Sequence, residues 1–327
     1  MILPYVARLI CLCLAAFFLV HAALGLMVSL LSPWAVRFAV GRMAPVHGAR
    51  LLLALRLLPS AFGLFVVIGL CTPSYLYLEP KGAPEEMGIA CLAAAAMSVI
   101  LWGWSIARAT RAMARSVRHL RECRQRSREL RLPGERKAAW IIESKSPCVM
   151  LAGVFRPRMV ISHDVVAALS AEQLAAAIRH ERAHGISHDN FKRLLVLLAP
   201  GIVPFASGFR NLERGWARIA EWAADDRASA GKARRSLSLA AALVRVARLG
   251  AVAPPPALAT SLMADGAELS ERVDRLLRSA HRAAHPHRRE PIQTAVAGLL
   301  VTVALIAVMA HPATLHSAHE CLEFLIQ

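Results

Sequence analysis

The chain has 327 residues, of which 56% are hydrophobic, and its mean hydropathy is +0.46. These values exclude an ordinary soluble domain, because the apolar residues are concentrated in runs long enough to cross a bilayer. The formal net charge is +17, and 33 of the 39 lysines and arginines lie between residues 105 and 293. The seven cysteines are odd in number and form no C-x-x-C pair, which excludes a disulfide framework and a cysteine-type zinc site.

Four apolar runs predict transmembrane helices, since about 20 residues cross the hydrocarbon core. The predicted spans are 9–31, 51–71, 87–104 and 294–310. The first run is longer than the apolar part of a signal peptide, so we expect it to be retained. Arginines follow the first and third runs, and the positive-inside rule therefore places those loops in the cytoplasm. We expect a multi-pass protein of the cell membrane whose large polar region faces the cytoplasm.

That polar region, 105–293, begins with arginines at three- and four-residue steps up to Arg131. The spacing predicts a basic helix that continues the third span and lies beside anionic lipid headgroups. No aromatic residues interleave with these arginines, so no direct contact with nucleic acid is expected. Two short apolar runs, 149–154 and 158–162, predict two strands of a small sheet.

Four further helices are predicted in the polar region from capping residues and helical periodicity. They cover residues 170–193, 210–229, 234–249 and 269–280. Ser170 and Gln173 form a capping-box pattern at the start of the first of these helices. The apolar stretch 194–209 is interpreted as buried, or as a hairpin in the inner leaflet, because a single crossing would separate the helices on its two sides.

The predicted helix 170–193 contains His180-Glu181-Arg182-Ala183-His184, an H-E-x-x-H pattern. Side chains four residues apart share one helix face, so both histidines can hold one zinc ion at ~2.0–2.1 Å. The glutamate beside the first histidine then acts as the general base on a water molecule. The pattern therefore predicts a metalloprotease site facing the cytoplasm.

A catalytic zinc ion has a third protein ligand. The nearby candidates are His188, Asp189, Glu213, Glu221, Asp225 and Asp226. His188 lies about 12 Å from His180 along a straight helix, too far to share one ion. Glu221 and Asp225 lie on one helix face, so we predict Glu221 as the ligand and Asp225 as the acceptor of a histidine ring N–H.

The chain resembles the BlaR/MecR-type membrane zinc metallopeptidases, a branch of the gluzincins. The resemblance rests on 153–162, on 180–184 followed by Asp189, on 221–225 and on 269–277. It implies a mainly α membrane protein with an α+β gluzincin-type domain between the third and fourth of four transmembrane helices. The implied organisation is three transmembrane helices in 1–104, the zinc protease domain in 105–293, the fourth helix in 294–310 and a short extracytoplasmic tail in 311–327.

The resemblance also implies the roles of individual residues. His180, His184 and Glu221 would bind one Zn²⁺, and Glu181 would be the general base and acid. Asp225 and Asp189 would support the ligands. Apart from the resemblance, zinc proteases often hold the substrate as a strand added to a sheet edge, and the candidate edge here is 158–162, just before the helix with the two histidines.

The implied substrate is a cytoplasmic protein, such as a winged-helix repressor of the BlaI/MecI type, or the chain itself. Receptors of this type that sense β-lactams carry a large penicillin-binding domain after the fourth helix. Residues 311–327 leave no room for such a sensor. We therefore expect signals to arrive through the membrane helices, the outer loops or a partner. The expected partners are the bilayer and the protein substrate, and the formation of a homodimer is left as an open alternative.

Two alternatives remain. An HtpX-like membrane protease for quality control has the same two motifs and differs in substrate and topology. A receptor without activity would use the zinc site structurally, but such a site has no need of Glu181.

Overall fold

The computed structural model describes residues 4–79, 87–131, 138–144, 146–201, 207–250, 258–262, 269–281 and 311–326. In chain order the helices are α1 (Tyr5–Arg42), α2 (Pro45–Val66), α3 (Thr72–Leu78), α4 (Ile89–Arg126), α5 (His163–Ala168), α6 (Ala171–Ser187), α7 (Asp189–Leu198), α8 (Ser207–Ser229), α9 (Ala233–Arg248), α10 (Leu269–His281) and α11 (Pro312–Ile326). The strands are β1 (Ser127–Leu130), β2 (Ala139–Ile142), β3 (Val149–Ala152), β4 (Arg158–Ser162) and β5 (Ala259–Ser261).

Three helical stretches are long and apolar enough to cross a membrane. They are α1, α4 and the stretch Pro45–Leu78, in which a π-helical turn (Val67–Cys71) joins α2 to α3. The first two predicted spans lie within α1 and Pro45–Leu78, and α4 covers the third except for its first two residues. The fourth predicted span, 294–310, lies outside the described residues. We call these three stretches the membrane-length helices.

The membrane-length helices α1 and α2 run antiparallel and pack closely. A side chain added at Gly63 would meet the Phe17 ring at 3.0 Å, and one added at Gly48 would meet the carbonyl oxygen of Ala39 at 3.1 Å. Glycines at such contacts allow the two backbones to approach, which is how helices associate in lipid. The last described helix, α11, lies against α3 at the end of the bundle that contains the start of α1, where the Ser74 hydroxyl donates to the carbonyl of Leu315 at 2.9 Å.

The predicted basic helix does continue α4, but it ends at Arg126 rather than Arg131. The backbone becomes extended at Ser127, and residues 127–130 pair antiparallel with β2 as an edge strand. Pairing with the apolar run 139–142, which was not predicted to be a strand, outweighs the helical spacing of the arginines.

The five strands form one mixed sheet in the order β1-β2-β4-β3-β5. The two predicted strands are confirmed as β3 and β4. The prediction of Arg158–Ser162 as a sheet edge is wrong, because β4 pairs in parallel with β2 and antiparallel with β3. Val160 and Ile161 are fully buried, as expected for a central strand. The edge strands among the described residues are β1 and β5.

Helices α6, α8, α9 and α10 pack together beside this sheet, and α6 lies directly on β3. The predicted capping box is present, with the Ser170 hydroxyl accepting from the Gln173 N–H and the Gln173 side chain accepting from Ser170 N–H. The predicted helices 210–229, 234–249 and 269–280 are confirmed as α8, α9 and α10. The predicted helix 170–193 is interrupted, because His188 adopts a left-handed conformation (φ 54°) that separates α6 from α7.

The described parts of the apolar stretch 194–209 are mostly buried or half-buried, as interpreted, and Ser207 is exposed. The end of α7 packs on α4 through Leu194, and the start of α8 packs on α1 and α2 through Phe209. Helix α8 therefore lies partly among the membrane-length helices and partly over α6, which brings two parts of the candidate site together.

Candidate metal centre

Three side chains converge where α8 crosses α6. The two ring nitrogens Nε2 of His180 and His184 lie 3.2 Å apart, as expected for residues one turn apart on α6. The Glu221 oxygens of α8 lie 3.3 Å from Nε2 of His180 and 3.4 Å from Nε2 of His184. Ligands bound tetrahedrally at ~2.0–2.1 Å are about 3.3 Å from one another. The two contacts of Glu221 are made by different oxygens, Oε2 to His180 and Oε1 to His184. One ligand atom from each of the three residues lies within 4.8 Å of the others, so together they can hold one metal ion.

A carboxylate contacts the far nitrogen of each histidine. Oδ1 of Asp225, one turn after Glu221, lies 2.9 Å from Nδ1 of His180. Oδ2 of Asp189 lies 2.7 Å from Nδ1 of His184. Contacts of this kind fix the ring orientation and leave Nε2 free as a ligand atom.

The left-handed backbone at His188 explains how Asp189 reaches His184. A continuous helix would carry residue 189 five positions onward and turn its side chain off the face of His184. The reversal at His188 instead starts α7 with Asp189 buried against the histidine, while Lys192 donates to the other oxygen of Asp189 at 2.9 Å. His188 itself is exposed, so the structure does not place it in the cluster.

Glu181 is fully buried beside the two histidines. Its Oε2 accepts a hydrogen bond from the hydroxyl of Thr260 on the edge strand β5 at 3.2 Å, and its Oε1 has no partner among the described residues. Burial raises the pKa of the Glu181 carboxyl. A carboxylate of raised pKa with an unpaired oxygen is suited to accept a proton.

Arg272 of α10 is a buried member of the cluster and was not among the residues predicted from the sequence. Its Nε and Nη2 donate to the two oxygens of Asp225 at 3.0 and 2.8 Å, and its Nη1 lies 3.1 Å from Oε2 of Glu221. Nη1 also donates to the carbonyl of Leu262, just after β5, at 2.8 Å. A signal was present in the sequence, because Arg272 shares the buried face of α10 with Leu269, Val273 and Leu276 at helical spacing.

The charges in the cluster compensate one another. Although burial favours the neutral acid, His184 and Arg272 hold the pKa of Glu221 well below its usual range, and Arg272 and His180 lower the pKa of Asp225. Burial would lower the pKa of His184, but Glu221 and Asp189 outweigh it and raise this pKa to about 10. In the metal-free protein, protons on the imidazoles therefore balance carboxylates that a divalent cation can neutralise instead.

The remaining sequence candidates lie elsewhere. Glu213 pairs with Arg56 of α2 at 2.7 Å. Asp226 pairs with Arg275 of α10 at 2.6 Å. Both acids are thus engaged outside the cluster of His180, His184 and Glu221.

Comparison with known proteins adds one finding. The sequence model of the BlaR1 peptidase M56 family matches residues 82–276, which is 195 of the 327 residues. No curated protein and no solved structure matches the chain. The matched region contains α4, the mixed sheet, His180, Glu181, His184 and Glu221. The chain therefore belongs to the BlaR1 peptidase M56 family, a family of proteases.

Proposed function

We propose that the chain is a membrane-anchored zinc endopeptidase that cleaves a cytoplasmic protein in a signalling pathway. The observation that carries the proposal is the ligand triangle of the side chains His180, His184 and Glu221, with Glu181 buried beside it. The two Nε2 atoms lie 3.2 Å apart, and each lies 3.3 or 3.4 Å from a different oxygen of Glu221. Membership of a protease family supports a hydrolytic role for this site. A purely structural zinc site would leave the buried carboxylate of Glu181 without a purpose.

His180, His184 and Glu221 would hold the ion, and Asp225 and Asp189 would keep the two imidazoles in the ligand orientation. When bound, zinc supplies Lewis acidity to the attacking water and to the scissile carbonyl. Glu181 accepts the water proton on its carboxylate and passes it to the departing amine. The Thr260 hydroxyl holds Oε2 of Glu181, which leaves Oε1 for that proton transfer.

The proposed topology has four transmembrane helices, with the protease domain 105–293 on the cytoplasmic side and the tail 311–327 outside. The arginines that follow the first and third spans support this orientation. The contact of α11 with α3, at the end of the bundle away from α8, supports a return of the chain across the membrane.

The proposed substrate is a winged-helix repressor of the BlaI/MecI type, by analogy with the family whose sequence model matches the chain. The basic protease domain would favour an acidic partner surface.

The test is Glu181→Gln in full-length protein purified with zinc. We expect zinc to stay bound, since Glu181 is not in the ligand triangle, and cleavage of such a repressor, or of labelled casein, to fall by at least ~100-fold because no base accepts the water proton. The matched control is Glu172→Gln, an exposed glutamate of the same helix, which should cleave at the rate of the unsubstituted protein. Undiminished cleavage by Glu181→Gln would refute the mechanism.

A further inference from the structure

Arg56 is a buried cation in the first third of the membrane-length stretch Pro45–Leu78, and it is only 2% exposed. Among the described residues, its hydrogen bonds are made with helices other than its own. Nε donates to Oε1 of Glu213 on α8 at 2.7 Å, and Nη2 lies 3.3 Å from the carbonyl oxygens of Val196 and Ala199 at the end of α7. The guanidinium also stacks 4.6 Å from the ring centroid of Phe209 on α8. A charge in an apolar span is costly, which marks such a residue as functional.

A second arginine from another membrane-length helix reaches the same place. Nη2 of Arg108 on α4 donates to the carbonyl of Leu197 at 3.1 Å. The last carbonyls of a helix lack partners within the helix and carry a partial negative charge. Two arginines from α2 and α4 therefore cap the carboxyl end of α7 together.

The helices held by Arg56 carry one ligand of the metal centre and the two carboxylates that contact the histidines. Helix α7 starts with Asp189, which contacts His184, and α8 carries Glu221 and Asp225. Glu213 lies eight residues before Glu221, about 12 Å along one uninterrupted helix. A displacement at the Arg56–Glu213 pair is thus carried along α8 to the ligand.

Close packing fixes the position of the first half of α8 relative to the membrane-length helices. A side chain added at Gly208 would come within 2.4 Å of the Cα of Ser29 in α1, and one added at Gly215 would meet Val36 at 3.0 Å. Contacts this tight leave no space for α8 to move without α1 and α2. Interfaces of this density respond as rigid bodies rather than by gradual deformation.

We propose that Arg56 is a positioning residue of the metal centre. By binding the end of α7 and the start of α8 to α2, it sets where Asp189 and Glu221 stand relative to the histidines of α6. A shift of α2, for example in response to an external signal, then changes the affinity of the site for its ion. The inference rests on the proposed function only in requiring that His180, His184 and Glu221 bind a metal.

The test compares arginine variants of the full-length protein in lipid nanodiscs. Zinc affinity is measured by competition with a chromophoric chelator, ligand geometry by the visible absorption of the Co²⁺-substituted protein, and folding by circular dichroism. We expect Arg56→Met to weaken zinc binding by about tenfold or more and to change the cobalt spectrum, as the loss of residues supporting ligands does elsewhere. Arg56→Lys, which keeps a cation for Glu213, should restore most of the affinity.

The matched control is Arg8→Met. Arg8 is equally buried in a membrane-length helix and pairs with Glu79 at 3.5 Å, at the end of α1 away from α8. It should leave zinc affinity and the cobalt spectrum unchanged. If Arg56→Met fails to fold, Glu213→Gln removes the same ion pair and should weaken zinc binding in the same direction.

Unchanged affinity and cobalt spectrum in a folded Arg56→Met or Glu213→Gln protein would overturn the inference. An equal loss of affinity in Arg8→Met would overturn it too, because the effect would then be general to the bundle. Zinc binding without proteolysis by the unsubstituted protein would instead contradict the proposed function and leave the positioning role intact.

Discussion

At the scale of single residues, Arg272 binds two carboxylates of the centre at once, Asp225 and Glu221. Removing one partner from a buried ion pair leaves an uncompensated charge in a medium of low dielectric constant. The same position adjoins the proposed ion, which carries positive charge of its own. The need for Arg272 should therefore be greatest when no metal is bound.

We predict that Arg272→Met lowers the free energy of unfolding of the metal-free protein by about 3–5 kcal/mol. Bound zinc should recover part of this loss, because it neutralises Glu221. The comparison is Arg275→Met, whose pair with Asp226 is one quarter exposed and should matter by only about 0–1 kcal/mol. Denaturation monitored with and without zinc gives both values. Equal losses in the two variants, or no effect of zinc, would contradict the prediction.

The pKa of His184 is raised to about 10 in the metal-free protein, so the imidazole carries a proton at neutral pH that an incoming ion must displace. Zinc affinity should therefore rise with pH between about 6.5 and 8.5, by up to about tenfold per unit for each proton released. Glu221 and Asp189 both raise this pKa; in Asp189→Asn only Glu221 of these two remains, so the dependence should be shallower. Affinity independent of pH would show that His184 is already neutral.

Part of the centre was predictable from single residues and part was not. His180, His184, Glu221 and Asp225 lie at four-residue spacing within two helices, so local geometry was enough to nominate them. Thr260 is 79 positions away in the sequence from its partner Glu181, and Arg272 is 47 positions away from its partner Asp225. Contacts of that separation depend on tertiary packing, which periodicity does not encode.

At the scale of elements, the break between α6 and α7 depends on one residue with a left-handed backbone. His188 carries a Cβ atom in that conformation, which costs about 1–2 kcal/mol relative to glycine. Sequence patterns predicted one helix across 170–193 because neither proline nor glycine stands at the break. The contact of Asp189 with His184 offsets the conformational cost of the interruption. A helical projection of the sequence does not show that contact.

We predict that His188→Gly keeps full zinc content, since residue 188 is exposed and does not belong to the ligand triangle. The variant should be at least as stable as the unsubstituted protein, because glycine adopts the left-handed backbone without strain. His188→Val should be less stable than His188→Gly by about 1–2 kcal/mol, because a β-branched side chain tolerates this backbone poorly. Metal analysis and thermal unfolding of the two variants measure both effects. Loss of zinc from His188→Gly would contradict the prediction and indicate that His188 is a metal ligand.

At the scale of the whole molecule, orientation in the membrane is the main prediction. Cys321 on α11 is exposed, whereas the other cysteines are buried or half-buried. In intact cells we expect a membrane-impermeant maleimide to label Cys321. In a variant with Cys321→Ser and Arg115→Cys, the new thiol on the exposed face of α4 should react only after the membrane is permeabilised. The reverse pattern would place the protease domain outside.

The order of the strands in the sheet also depends on the fold of the whole molecule. The sequence showed β3 and β4 as apolar runs, but not that β2 would pair beside β4 in parallel. A strand becomes central only when another segment covers its free edge, and that choice is made by the whole chain.

The tight fit of α8 between α1 and α2 has a practical consequence for anyone who wishes to produce this enzyme. Phe209, Leu212, Ile219 and Trp222 bury their apolar surface against α1 and α2. A recombinant fragment limited to residues 105–293 would present that surface to water and would be insoluble or aggregated. Crystallisation, inhibitor screening and assays should accordingly start from the full-length protein in detergent or lipid.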